Sequence, residues 1–245
     1  IRSGRGNFLI DPVFSERVSP VAWMGPRRVH PPPIGFAALP KIDAVLLSHD
    51  HHDDNLDKAG RALLPRVGTV ITTEAGAKRL GGNARGLAPW AKTELSAEGK
   101  PAIEVTATPC RHGPPLSRPL VGDVIGFALR WEGQEHGALW ISGDTVLYDG
   151  VREVADRVEV GTALIHLGGV RFPATGPVRY TLSAGEAVEL LDALRPRTTI
   201  PIHYEGWRHF RQGREALEKE LAGAPAEVRD RVRWLPIGAA AEVGV

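Results

Sequence analysis

Short apolar segments recur along the chain, separated by polar or proline-containing stretches, and most have the length of a strand. Continuous runs of apolar and β-branched residues, typical of strands buried on both faces, occur at residues 44–47, 69–72, 163–167 and 198–202. Residues 103–108 alternate with a period of two, which favours a strand with one exposed face. The pattern therefore predicts a sheet-rich protein.

A hairpin is predicted from residues 124–131 and 138–142, which flank Glu132-Gly133-Gln134. A helix with a capping box is predicted where Ser183 precedes an amphipathic run and Glu186 follows three residues later. Helices are predicted over residues 55–64, 150–159, 183–194 and 207–222. Because no linker or repeat interrupts this order, we expect one α/β (α+β) domain over residues 1–245.

Residues 12–40 contain seven prolines, too many for regular elements. They predict a long ordered loop or a flexible lid, since long loops in compact domains are usually functional. Trp23, Met24 and Phe36 in this segment either form an apolar rim for an acyl chain or pack against the domain.

Composition narrows the function classes. The chain has 245 residues, and its one cysteine, Cys110, excludes an internal disulfide framework and a thiolate metal cluster. The net charge of +1 argues against a nucleic-acid partner. No apolar stretch is long enough to span a bilayer and no signal peptide is evident, so a cytoplasmic location is expected. Because the chain begins at Ile1 rather than Met, further residues are expected upstream.

Three of the nine histidines fall directly after the predicted strand 44–47, in a segment that also holds four aspartates. His49 and His51, two residues apart, can point the same way from an extended backbone. Imidazole suits zinc, iron or manganese, and a neighbouring carboxylate suits a second ion. A solvated polar loop is the alternative, but the four aspartates and the strand-end position favour metal binding.

Three later strands also end in residues that can bind a metal. His112 follows strand 103–108, Asp144 follows strand 138–142, and His203 follows strand 198–202. Open α/β sheets place their sites at the carboxyl ends of strands, so these side chains are expected to converge on the first histidines.

With these motifs in place, the chain resembles metallo-β-lactamase-fold hydrolases over residues 7–243. Within them it resembles the branch of N-acyl-phosphatidylethanolamine phospholipase D and bacterial ascorbate-phosphate lactonase. The matching motifs are Asp11-Pro12-Val13-Phe14-Ser15, Ser19-Pro20, Gly25-Pro26-Arg27-Arg28, Pro31-Pro32, residues 46–57, Gly143-Asp144-Thr145 and Pro201-Ile202-His203-Tyr204. The resemblance implies a four-layer αββα sandwich with two metals at one edge of the sheets. It also places the family's first strand before residue 7, where none is visible.

The resemblance also implies a ligand set. The family's first metal takes three histidines, which match His49, His51 and His112. Its second metal takes an aspartate and a histidine from the same central motif, a bridging aspartate and a late histidine. The bridging aspartate matches Asp144 and the late histidine matches His203.

The central motif departs from the family at its aspartate and final histidine. Without a gap, Asp53 takes the aspartate position and Asp54 that of the histidine. With one inserted residue, Asp54-Asn55-Leu56-Asp57 aligns with Asp-His-Leu-Asp, and we prefer this alignment because Leu56 and Asp57 then match too. In either alignment the histidine is missing, so the second metal is expected to be bound more weakly, differently or not at all.

The function implied is that of a metallo-hydrolase with one or two Zn²⁺ ions, or Mn²⁺ or Fe²⁺ instead. A metal-bound hydroxide, oriented by Asp54 or Asp53, would cleave an ester, lactone, amide or phosphodiester bond in a small or lipid-like substrate. The alternatives are an iron-dependent oxidoreductase on the same fold and a non-catalytic protein with a degenerate site. The sequence does not fix the oligomeric state.

Other polar residues have weaker roles in this hypothesis. Asp50 and Asp57 are candidates to hold the ligand imidazoles, and Asp57 is equally a helix cap. Tyr204 either binds substrate or is an ordinary half-buried residue, and Cys110 is expected to be a small buried one. The histidines expected to have no ligand role are His30, His52, His136, His166 and His209.

Overall fold

The computed structural model describes residues 1–15, 28–97, 99–172 and 175–245. In these ranges the strands are β1 (Arg2–Ser3), β2 (Gly6–Ile10), β3 (Ala44–Leu46), β4 (Thr69–Thr73), β5 (Ala84–Leu87), β6 (Lys92–Ala97), β7 (Lys100–Pro109), β8 (Ile125–Arg130), β9 (Ala138–Ile141), β10 (Val160–His166) and β11 (Thr198–Ile202). The helices are α1 (Lys58–Leu63), α2 (Glu74–Leu80), α3 (Arg118–Val121), α4 (Asp149–Arg157), α5 (Ala184–Leu194), α6 (Arg214–Ala222) and α7 (Ala226–Arg229).

The strands form two mixed sheets. One has the order β1-β2-β3-β4-β5, with β2 to β5 parallel and β1 antiparallel to β2. The other has the order β11-β10-β9-β8-β7-β6, with β9, β10 and β11 parallel and the remaining pairs antiparallel. The expected α/β (α+β) class is confirmed.

Three apolar clusters define four layers. Between the sheets, Leu46 and Ile71 of the first pack with Phe127 and Ile141 of the second. On the outer face of the first sheet, strand residues pack with a residue of α1 in a cluster that includes Val45, Val70 and Leu63. On the outer face of the second sheet, they pack with residues of α4 and α5 in a cluster that includes Trp140, Ile165, Val154 and Leu190. Alternate strand residues face opposite sides of a sheet, so both faces need apolar side chains, and the αββα sandwich follows.

Several local predictions are confirmed. β8 and β9 form the expected antiparallel hairpin, with Phe127 opposite Ile141. Helix α5 begins at the expected capping box, in which Ser183 Oγ accepts a hydrogen bond from Glu186 N and the Glu186 carboxylate accepts one from Ser183 N.

Two predictions differ from the structure. The helix predicted over residues 207–222 begins only at Arg214, and residues 207–213 are irregular because the chain there turns across the carboxyl ends of the strands. A strand before residue 7 does exist as β1, whose two residues are too few for a sequence pattern to reveal.

The proline-rich segment is described only in part. Phe36 lies in a short 3₁₀ helix, Phe36–Ala38, and packs edge-on against Phe14 at a centroid distance of 5.5 Å. Of the two expectations for this residue, packing against the domain is therefore the one observed. Trp23 and Met24 lie outside the described residues, as do Ser19-Pro20 and Gly25-Pro26-Arg27. Among the described helices, none has the length and apolar character needed to cross a membrane.

Because Leu46 belongs to the core between the sheets and Leu116 does not, we expect the same Leu→Ala change to lower the free energy of unfolding far more at Leu46. Leu46 is 0% exposed, whereas Leu116 is 96% exposed. We expect Leu46→Ala to lower the free energy of unfolding by about 2–5 kcal/mol, because it leaves a cavity among close-packed side chains. Urea unfolding followed by circular dichroism measures this, with Leu116→Ala as the matched control. Equal losses in the two variants would contradict this description of the core.

Candidate metal centre

Four strands deliver polar side chains to one edge of the sandwich. His49 follows β3 of the first sheet, whereas His112, Asp144 and His203 follow β7, β9 and β11 of the second. These side chains lie close together: the ring centroids of His49 and His112 are 5.3 Å apart, and Oδ2 of Asp144 lies 3.6 Å from Nε2 of His203. The expected convergence of strand ends is therefore what the structure shows.

A short hydrogen-bond chain fixes the orientation of His49. Asp11, directly after β2, accepts hydrogen bonds from Ser48 N at 2.7 Å and Ser48 Oγ at 2.9 Å. Ser48 Oγ in turn lies 2.9 Å from Nδ1 of His49. Since the hydroxyl proton is donated to Asp11, the imidazole donates from Nδ1, and its Nε2 carries the lone pair. That Nε2 is buried and has no hydrogen-bond partner within the described ranges.

Backbone carbonyls orient two more histidines in the same way. Nδ1 of His112 lies 2.7 Å from the carbonyl oxygen of Tyr180, and Nδ1 of His203 lies 3.1 Å from that of Leu167. A carbonyl can only accept, so each Nδ1 is protonated and each Nε2 is a free electron-pair donor. Hydrogen bonds of this kind fix the tautomer of metal-binding histidines in many proteins.

The histidine that joins His49 and His112 is His52. Ligand atoms of these three side chains all lie within 4.8 Å of one another. The ring centroids are separated by 5.2 Å between His49 and His52 and by 5.1 Å between His52 and His112. The extra residue in the central motif thus lies between His49 and His52, and it shifts the second histidine position by one.

His51, expected as a ligand from the two-residue spacing, lies elsewhere. Its Nδ1 is 3.3 Å from Nη2 of Arg79 and 3.6 Å from the Asp50 carboxylate. Its ring lies directly over Gly122, where a Cβ atom would come within 2.1 Å of it. His51 therefore borders the pocket without joining the group of three, because the turn after His49 directs it towards Arg79.

Two aspartates complete the site on the side of the pocket near His203. Asp144 is buried, with its Oδ2 3.6 Å from Nε2 of His203 and its Oδ1 without a hydrogen-bond partner in the part of the chain that the structure describes. Asp54 Oδ2 lies 3.0 Å from Nε2 of His209. Asp53 is exposed at the rim of the same pocket.

His209 is a site residue that sequence reasoning missed, since it was expected to have no ligand role. It is buried, and its ring stacks on Phe172 at a centroid distance of 5.3 Å. The sequence pointed to His209 only indirectly: because the central motif lacks one histidine, a histidine elsewhere in the chain could act in its place. Because residues 207–213 were predicted as helix, the sequence gave no reason to place His209 in the pocket.

The remaining expected residues have structural contacts. Asp57 caps α1 by accepting a hydrogen bond from Gly60 N at 2.7 Å, and Asp50 accepts two from Arg79. Cys110 donates to the carbonyl oxygen of Ser142 at 2.7 Å. Tyr204 belongs to the core beneath α5 and packs on Trp234, so of its two expected roles the structural one is observed.

The electrostatics favour ligands that are ready to bind a cation. Burial lowers the pKa of His49 and of His112, which keeps both imidazoles neutral at pH 7. Burial alone would raise the pKa of Asp144, but the surrounding histidines, His203 foremost, hold it below its usual range. Neutral imidazoles and an ionised carboxylate are the protonation states that metal ligands require.

A pocket of about 280 Å³ lies at this site, lined by His112, Asp144 and His203 among others, with His49 buried behind it. One wall carries Val170 and Phe172, and the rest is built from the histidines and aspartates of the site. A few polar groups that converge beside an apolar wall are typical of a small-molecule site.

The family model of the beta-lactamase superfamily domain matches residues 6–204, most of the chain. The chain belongs to this family. A metal-dependent hydrolase of Opitutus terrae is 30% identical over 199 residues, which cover 76% of this chain and 78% of the relative. Relatives of this kind are named as metal-dependent hydrolases, which is the class expected from the sequence.

A second relative matches only locally. The protein Rv0906 of Mycobacterium tuberculosis is 60% identical over 45 residues, which are 18% of this chain and 12% of that protein. Among solved structures, the isothiocyanate hydrolase from Delia radicum gut bacteria superposes with a TM-score of 0.78 at 21% identity, covering 97% of this chain and 93% of the other. At 21% identity this structural similarity is evidence for the fold alone. Together with the family match, it confirms the expected metallo-β-lactamase sandwich.

The position of the inserted residue predicts which histidine matters for metal affinity. We expect His52→Ala to lower zinc affinity at least about tenfold, because it removes a donor from the group of three. His51→Ala, the matched control one residue away, leaves the affinity close to that of the wild type. Competition titration with a chromophoric chelator measures both. The opposite ranking would restore His51 as the ligand.

Proposed function

We propose that the protein is a metal-dependent hydrolase that acts on an ester, lactone, amide or phosphodiester bond of a small or lipid-like substrate. The observation that carries this proposal is the buried Nε2 of His49, which has no hydrogen-bond partner in the described chain and faces His52 and His112. A buried polar atom without a partner is costly, and a bound cation would remove that cost.

The residues present fit a divalent metal. His49, His52 and His112 would hold a first ion, and Asp54 and His203 a second, with Asp144 between them. Imidazole and carboxylate donors without a thiolate suit Zn²⁺, Mn²⁺ or Fe²⁺. We favour Zn²⁺, since three histidines with a further oxygen donor is a common zinc environment.

A bound divalent ion would supply a nucleophile at neutral pH by lowering the pKa of water. The chain's own residues prepare the site for this. The hydrogen bonds to His49, His112 and His203 fix the imidazole rings before any substrate enters. Asp54, rather than the exposed Asp53, would orient the attacking water and accept its proton, because its carboxylate is held inside the pocket.

The finer resemblance to the phospholipase D and lactonase branch is supported by the contacts of its motif. Backbone amides of Phe14 and Ser15 both donate to the Asp57 carboxylate, at 2.9 and 2.5 Å. Arg28 donates to the carbonyl oxygens of Val13 and Ser15, at 2.8 and 3.1 Å. The described part of the motif thus connects residues 13–15 and Arg28 to the loop that carries His49.

Two alternatives to the hydrolase can be distinguished from it by metal content and activity. The same nitrogen and oxygen donors suit iron, so an iron-dependent oxidoreductase on this fold is the second candidate. A non-catalytic protein with a degenerate site is the third, motivated by the histidine that the central motif lacks. A cytoplasmic location and the lack of a nucleic-acid partner stay predictions from the sequence.

The hydrolase proposal predicts a metal-dependent turnover. The chain, purified without added metal, is analysed for metal content and then assayed with lactones, phosphodiesters and an isothiocyanate, the last suggested by the name of the solved neighbour. We expect zinc and turnover of at least one substrate class. Asp144→Asn is expected to lower kcat about 100-fold or more, because it disturbs the placement of reacting groups.

His136→Ala is the control for this assay, since that histidine pairs with Arg197 on the surface. Fewer than about 0.2 ions per chain, with no activity gained on adding zinc or manganese, would exclude the hydrolase proposal. Bound iron with oxygen consumption would favour the oxidoreductase instead.

A further inference from the structure

The central motif lacks the histidine that would follow Asp54, and the residue in its place has another role. Asn55 is buried, and its side-chain amide donates to the carbonyl oxygen of His49 at 2.7 Å and to Ser48 Oγ at 3.4 Å. These bonds keep the turn around His49 closed. Asn55 therefore does not replace the missing imidazole in the pocket.

An imidazole from a distant part of the chain contacts Asp54 instead. Nε2 of His209 lies 3.0 Å from Oδ2 of Asp54, within hydrogen-bond distance. His209 belongs to the loop between β11 and α6, more than 150 residues further along the chain. The two residues meet because this loop crosses the edge of the sandwich where the strands end.

The position of His209 is well defined by its surroundings. Only 7% of the residue is exposed, and its ring stacks on Phe172 at an interplanar angle of 19°. On its other side it meets Phe210 edge-on, with a centroid distance of 4.9 Å. Two aromatic contacts and burial hold the ring so that Nε2 faces the Asp54 carboxylate.

We propose that His209 is a positioning residue that holds the Asp54 carboxylate towards the second metal, without supplying the ligand that the motif lacks. The inference rests on the proposed metal-dependent hydrolase and deepens it.

The hydrogen-bond geometry favours positioning over direct metal binding. An ionised carboxylate only accepts, so Nε2 of His209 must carry the proton in this pair. In the neutral imidazole Nδ1 then has the lone pair, and this atom is buried without a partner among the described residues. The opposite tautomer would bring two lone pairs together and bury an unpaired N–H, which is the less favourable arrangement.

Three variants test the assignment through metal affinity. His209→Phe keeps an aromatic ring against Phe172 but removes the donor, whereas His209→Gln keeps an N–H donor. His30→Phe, at an exposed histidine, is the matched control. Co²⁺ titrations of the metal-free chain, followed by visible absorption and calorimetry, measure both binding events, and circular dichroism confirms folding.

We expect His209→Phe to weaken the second binding event about tenfold or more, the usual scale for loss of a residue that holds a ligand. His209→Gln and His30→Phe are expected to stay close to the wild type. Unchanged affinity in His209→Phe would overturn the proposal. A loss in His209→Gln equal to that in His209→Phe would show that the imidazole itself binds the ion, and would also overturn it.

A measurement without metal keeps the two proposals distinguishable. In the metal-free chain, ¹⁵N NMR of the His209 ring is expected to show the Nε2–H tautomer at neutral pH, and in Asp54→Asn this preference is expected to weaken. A wild-type chain that binds no Co²⁺ would refute the hydrolase proposal. An Nδ1–H tautomer would refute the Asp54–His209 pair, whatever the metal result.

Discussion

Ser48 Oγ lies 2.9 Å from the Asp11 carboxylate and 2.9 Å from Nδ1 of His49, and the geometry of the pocket depends on this position. The hydroxyl connects the residue after β2 with the loop after β3, so the two strand ends cannot move independently. The Asp11 side chain is only 10% exposed, and this burial raises its pKa to about 7. A dry, fully bonded polar chain of this kind gives a unique orientation to the ring at its end.

Most of the strands and the edge at which they meet could be predicted from the sequence. Period-two alternation and apolar runs gave β4, β7 and β11 because each strand must bury at least one face. The placement of His112, Asp144 and His203 followed from the rule that strand ends share an edge. These features are encoded in local patterns that any close-packed sheet requires.

The choice between His51 and His52 could not be made in the same way. Spacing of two residues favours side chains on one face only while the backbone stays extended, and after His49 it turns. The turn is set by side-chain contacts that a periodic pattern does not encode, such as Arg79 with Asp50 and Asn55 with the carbonyl oxygen of His49. The position of His209 could not be predicted for a related reason: the loop that carries it has no periodic pattern from which its place could be inferred.

The backbone at His203 shows what assembling the site demands of the fold. This residue has a φ of 59°, in the left-handed region that costs a non-glycine residue about 1–2 kcal/mol. The turn lets Nδ1 reach the carbonyl oxygen of Leu167 while Nε2 faces Asp144. A strained backbone of this kind persists where the surrounding contacts hold it in place, and such residues are common at functional sites.

The donors of the pocket come from both sheets: His49, His52 and Asp54 follow β3, whereas His112, Asp144 and His203 follow strands of the other sheet. An ion held by both groups would therefore cross-link the two layers, in addition to contacts that already join them at this edge, such as the Asp54–His209 pair. The free concentration of the metal ion would then affect the stability of the folded chain. A ligand at 100 times its Kd raises the free energy of unfolding by about 2.7 kcal/mol. Metal starvation would act on this protein as a loss of abundance as well as a loss of chemistry.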